Sequence, residues 1–161
     1  MSTATAPATL IDRGAADALE FVAFDRQPLT DFLPVAPGSA VQSESGEAVY
    51  AIAPRRWFAP QPGDALRTAL ESAAVGGVGA LVDVTGQWRG FDLDGAGAAS
   101  ILRNAIDIEA VLEGREIAAM TLFDAPCRVA RRSSGYRIWV RSSYAAHLMT
   151  LLERLGAVRA P

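Results

Sequence analysis

The sequence predicts an α+β fold, on three observations. The hydrophobic period changes along Leu81 to Asn104. Leu81, Val82 and Val84 form an apolar run, Trp88, Gly90, Phe91 and Leu93 alternate, and Ala98, Ile101, Leu102 and Ala105 recur at helical spacing. The joins, Thr85-Gly86-Gln87 and Gly95-Ala96-Gly97, hold residues that turn a chain. A length of 161 residues with 50% hydrophobic content is enough for one buried core. The expectation is a single domain with a mixed or antiparallel sheet of about five to six strands and about three helices.

Residues 1–46 are expected as an extended or disordered arm ahead of a domain at 47–157. Residues 1–19 are weakly patterned, like a mobile terminus. Glu20 to Phe24 can form a short strand, and Pro28, Pro34 and Pro37 then hold the chain extended. Ala48 to Phe58 begins as a strand, with Pro54 interrupting it before Arg56 and Trp57. Asp64 suits a helix N-cap, Leu66, Leu70 and Ala73 or Ala74 give the stripe, and Gly76-Gly77 stops it. After the central stretch, Ile117–Phe123 reads as a strand and Asp124-Ala125-Pro126 as a turn. A hairpin of Cys127–Arg132 and Tyr136–Arg141 follows, around Ser133-Ser134-Gly135. Ser142 or Ser143 can cap a last helix carrying Tyr144, Leu148, Leu151, Leu152 and Leu155, with Gly156 ending it and Ala157–Pro161 as a tail.

A net charge of −3 and a pI near 5.1 give no global attraction for nucleic acid or an anionic membrane, so any basic surface is local. Mean hydropathy is +0.18, yet no stretch approaches the roughly 20 apolar residues of a membrane span. No targeting segment is expected, and a cytoplasmic location is. Cys127 and His147 are single residues of their kinds, which excludes an intramolecular disulfide and a Cys/His metal cage. Gly95-Ala-Gly97-Ala-Ala-Ser100 superficially resembles a dinucleotide loop. The strand before it alternates, however, and Asp92 and Asp94 would repel a pyrophosphate.

No residue has the setting of a nucleophile, general base or metal ligand; Asp83, Asp92 and Asp94 have only proximity in their favour. The candidate interface is cationic instead. With a two-residue hairpin loop at Ser134-Gly135, Arg128 faces Arg141, Ala130 faces Trp139 and Arg132 faces Arg137. That face would carry Arg128, Arg132, Arg137 and Arg141 around the Trp139 indole. Like charges so placed need neutralising, which points to an acidic partner or an anionic ligand. Arg56 and Trp57 are a second candidate anchor, with Trp57 also suited to the interior.

The order of Val82-Asp83-Val84-Thr85, the Leu93-Asp94-Gly95 step into Ala98, Ala99 and Leu102, Ile106-Asp107-Ile108, Thr121-Leu122 and the aromatic hairpin before a Tyr/Leu-rich helix carries a family resemblance. It resembles the gamma subunit of heterotetrameric sarcosine oxidase, a relative of folate-binding aminomethyltransferase-like domains. The resemblance covers roughly Ala48 to Leu155 and implies a split β-α-β fold. It implies a non-catalytic accessory role beside alpha, beta and delta subunits, in a complex that oxidatively demethylates an N-methyl amino acid and passes the one-carbon unit to tetrahydrofolate. Flavin, NAD and tetrahydrofolate would belong to the large partner subunits and zinc to delta, with no cofactor bound by this chain. Catalytic relatives engage folate through an Asp on the strand after the Thr-Leu element. Here Cys127–Arg132 holds no carboxylate. The alternative is a free-standing module that binds folate or another small anion.

Overall fold

The computed structural model describes residues 7–24, 33, 36–42 and 48–161. In chain order its strands are β1 (Ala8–Ala15), β2 (Ala18–Ala23), β3 (Ala40–Gln42), β4 (Ala48–Ala53), β5 (Arg56–Pro60), β6 (Gly79–Asp83) and β7 (Trp88–Asp94). After these come β8 (Ile117–Leu122), β9 (Ala125–Arg132), β10 (Gly135–Arg141) and β11 (Ala157–Arg159). The helices are α1 (Asp64–Val75), α2 (Ala98–Leu102), α3 (Ile108–Val111) and α4 (Ala145–Arg154), the last entered through a 3-10 turn at Ser142–Tyr144. The α+β class is as predicted. There are two sheets, a mixed one of six strands and an antiparallel one of five.

The chain forms two compact units, residues 1–15 with 88–161, and residues 16–87. The first holds the sheet ordered β11-β1-β7-β10-β9-β8, antiparallel except where β1 and β11 run parallel. Strand alternation sends Phe91, Leu93, Val129, Ile138 and Val140 to one face. There they pack with Leu102 of α2, Ile108 of α3, and Leu148 and Leu152 of α4 in one buried cluster. The second unit holds β3-β4-β5-β2-β6. Leu19, Phe21, Ala51, Trp57 and Ala59 on one of its faces share a cluster with Leu70, the buried residue of α1.

Several local expectations are corrected. The terminus expected to be mobile over residues 1–19, within the arm of residues 1–46, contains β1 and the first two residues of β2, whose remainder falls on the short strand expected at Glu20–Phe24. Ala8 and Leu10 are 1% exposed because their side chains join the core cluster of this unit while the backbone of β1 pairs on both edges. The tail expected after Gly156 supplies β11, which pairs with β1. Within the stretch expected to be held extended by prolines, Ala40–Gln42 pairs with β4 as β3; Pro28 and Pro34 lie outside the described residues. Gly63, not Asp64, is the N-cap of α1, and no side chain caps that end. Asp64 lies in the first turn, where its charge still suits the helix dipole. Neither Ser142 nor Ser143 caps α4. The expected turn at Asp124-Ala125-Pro126 falls one residue earlier, at Phe123-Asp124, where both residues have positive φ (49° and 65°), as a tight hairpin turn requires.

The β9-β10 hairpin turns at Ser133-Ser134, with Gly135 already in the ladder opposite Arg132. The cause is steric. A side chain begun at Gly135 would stand 2.1 Å from the Leu93 carbonyl oxygen, so only glycine lets β10 lie this close to β7. Gly135→Ala is expected to cost about 2 kcal/mol through this overpacking. The urea midpoint measures it, and an unchanged midpoint would mean the hairpin has room to move.

Candidate functional site

On the face of the six-stranded sheet opposite its helices, alternation places Trp88, Gly90, Asp92 and Asp94 of β7 beside Gly135, Arg137, Trp139 and Arg141 of β10. Arg128, Ala130 and Arg132 of β9 continue the face. The hairpin register differs from the expected one by two residues, so Trp139 lies opposite Arg128 and Arg137 opposite Ala130. A two-residue slip conserves the face. Arg128, Arg132, Arg137, Trp139 and Arg141 therefore do share one face of the sheet, with different neighbours, but Arg128 (5% exposed) and Trp139 (3%) are buried on it rather than open to solvent.

Asp92 organises that surface. Its side chain has no exposure, and its Oδ2 accepts from Arg13 Nε at 2.7 Å and Arg137 Nη2 at 2.8 Å, with Arg132 Nη1 at 3.0 Å. Its Oδ1 accepts from Arg137 Nε at 2.6 Å. An ionised carboxylate offers about four lone-pair sites, so this one is saturated. Burial alone would raise its pKa. Hydrogen bonds from Arg137 and then Arg13, with the charges of Arg137 and Arg132, outweigh burial and hold the carboxyl below its usual range. Arg132 also bonds Asp94 Oδ1 at 2.8 Å, and Ser134 donates to the same oxygen at 2.9 Å.

Arg13 reaches the site through a β-bulge. The β1-β7 register shifts between Asp12 and Gly14, leaving Arg13 as the extra residue. Gly14 takes φ 78°, and its N–H donates to Asp12 Oδ1 at 2.8 Å, which fixes the bulge. Across the ladder Gly90 borders the bulge, and a Cβ there would come into ordinary contact with that of Arg13 at 3.4 Å. At the other end of the face, the Arg128 and Arg141 guanidiniums lie 4.1 Å and 4.4 Å from the Trp88 ring centroid. Each such contact is worth about 0.5–2 kcal/mol, depending on desolvation.

Three guanidiniums gathered on one carboxylate repel one another. At about 5 Å and an effective dielectric near 20, each pair costs about 3 kcal/mol. Asp92 and Asp94 offset two of the three charges and leave a local surplus. The geometry suits anion binding and docking. It does not suit proton transfer, because the one fully buried carboxylate is committed to its arginines.

Arg56 and Trp57 do not join this face. They are consecutive in β5, so their side chains point to opposite sides of the five-stranded sheet. Trp57 is buried in the core against Phe21, with ring centroids 6.1 Å apart. Arg56 reaches across to the buried Glu20, with Nη2 2.6 Å from Oε2. Burial pushes the Cys127 thiol up to about 11, which keeps it protonated. His147 is exposed on α4. Burial and then the Glu109 carboxylate push the Tyr136 hydroxyl up to about 12. Tyr136 donates to Glu109 and so ties α3 to the sheet. Sequence reasoning missed Arg13, Trp88 and the structural use of Asp92. The alternation Trp88, Gly90, Asp92 was the signal for two of them, and nothing local marked the bulge.

No helix among the described residues is long and apolar enough to cross a membrane. No family model matches the sequence, and no curated protein sequence does. Among solved structures, the chain is similar to one in the heterotetrameric sarcosine oxidase from Corynebacterium sp. U-96 in complex with pyrrole 2-carboxylate. The TM-score is 0.75 at 21% identity, covering 96% of this chain and 88% of that one. A structural-genomics protein from Agobacterium tumefaciens aligns at 12% identity and a TM-score of 0.41, over 96% of this chain and 92% of that one. The first similarity establishes that the α+β fold described above is one found in a chain of a multi-subunit oxidase.

Proposed function

We propose that the chain is an accessory, non-catalytic gamma-like subunit of a heterotetrameric sarcosine oxidase-type complex. That complex oxidatively demethylates an N-methyl amino acid and transfers the one-carbon unit to tetrahydrofolate. Flavin, NAD and tetrahydrofolate belong to the partner subunits, and this chain packs against alpha, beta or delta. The observation carrying this reading is the fold match over 96% of the chain. A saturated Asp92 and a protonated Cys127 support the accessory role, since neither is poised as a base or nucleophile.

Affinity purification of the tagged chain from its native cell is the test. Flavin-bearing chains are expected to co-purify, while the chain expressed by itself is colourless and does not oxidise sarcosine. One equivalent of flavin retained by the isolated chain would overturn the reading, as would a native complex without a flavoprotein. Within such a complex, replacing Arg137 and Arg141 with Ala is expected to weaken partner affinity about tenfold at low salt and less at high salt. Equal affinity at both salts would assign those arginines to the fold alone.

A further inference from the structure

We propose that Arg13 and Arg132, oriented with Arg137 by the buried Asp92, form a binding site for a single oxyanion, a carboxylate or phosphate group arriving from solvent. The inference is independent of membership in an oxidase complex. Three observations carry it. First, the donors are only partly used. Arg13 commits Nε to Asp92, and its Nη1 and Nη2 make no hydrogen bond among the described residues. Arg132 commits Nη1 to Asp92 and Asp94, leaving Nε and Nη2 in the same condition. Second, these side chains are open to solvent above a carboxylate that is not. Arg13 is 49% exposed and Arg132 28%, against 0% for Asp92.

Third, the array is ordered before any ligand arrives. Arg13, Arg132 and Arg137 all reach Asp92 Oδ2 at 2.7–3.0 Å, so the three guanidiniums stand within the span of one oxyanion. A guanidinium presents its donors in a planar fork matched to carboxylate and phosphate oxygens. Fixing the fork in advance removes the side-chain entropy that an exposed arginine loses on binding. The surplus positive charge that Asp92 and Asp94 leave over would be neutralised by the guest.

The test uses the full chain and two probes, inorganic phosphate and glutarate, titrated while the arginine Nε–Hε NMR signals are followed. Saturable shifts are expected at Arg13, Arg132 and Arg137, with the exposed Arg115 unmoved. Saturation by phosphate alone assigns a phosphate group, and saturation by glutarate alone a carboxylate; either supports the site. In an R13Q/R132Q chain, Arg137 still holds Asp92 through two hydrogen bonds, so the buried carboxylate keeps its partner. The half-saturation concentration read at Arg137 is expected to rise at least tenfold. The proposal is overturned if neither probe gives a saturable shift in the wild-type chain, if Arg115 moves in step with the cluster, or if the double variant binds as before.

Discussion

Replacing Asp92 with Ala is expected to destabilise the six-stranded unit by about 3 kcal/mol, measured as a fall in the urea midpoint at neutral pH. Removing one member of a buried ion pair typically costs about 3–5 kcal/mol, because the partner charge is left uncompensated. The lower end applies here. Arg13 is half exposed and Arg132 and Arg137 are 28% exposed, so water recovers part of the loss. An Asp92→Asn variant keeps the shape and removes the charge, and it should fall between Ala and wild type. The pH dependence has a definite sign. The folded-state pKa of Asp92 is depressed, so its contribution is fully present above the unfolded value near 3.9 and is lost as pH falls through the folded value. Wild type should therefore lose stability on acidification more steeply than Asp92→Asn. Parallel acid limbs would show that the arginines do not depend on this carboxylate.

Phe91→Ala is expected to cost about 3–5 kcal/mol. Phe91 has no exposure and lies on β7, which is hydrogen-bonded to β1 on one side and β10 on the other. A strand held on both edges cannot shift inward to fill the void, so the cavity penalty adds to the lost burial. The slope of the denaturation curve should stay constant while its midpoint falls. A loss below about 1 kcal/mol would mean that α2 or α4 collapses into the gap.

Period-two patterning made β7 and the β9-β10 hairpin legible in the sequence. The composition of the cationic face was legible too, although the pairing was not, because an even-numbered slip leaves every side chain on its side of the sheet. Only glycine's ability to enter the ladder at 135, a matter of contact with Leu93, separated the expected turn from the observed one. Arg56 and Trp57 were expected together as one candidate anchor, but adjacent positions in one strand send their side chains to opposite faces, and only Arg56 reaches the outside. Arg13 was hidden for a different reason. It sits in a strand whose burial depends on pairing with β7 and β11, and on a bulge that no local pattern signals. The three residues of β11 gave no periodicity at all. The second sheet was obscured because β5 and β6 meet through β2, a partner more than thirty residues away in sequence from either.

The placement of β1 bears on how the molecule is made. Ala8 pairs with Ala157, and Thr9 with Asp94, so β1 is synthesised well before either of its two neighbours in the sheet and waits longest for β11. Meanwhile residues 16–87 can complete a sheet of their own. Closing so long a loop adds little to the equilibrium cost, which grows only logarithmically, but it slows the search for the native pairing. Until then Leu10 stays uncovered on an unpaired strand, a species prone to associate with other nascent chains.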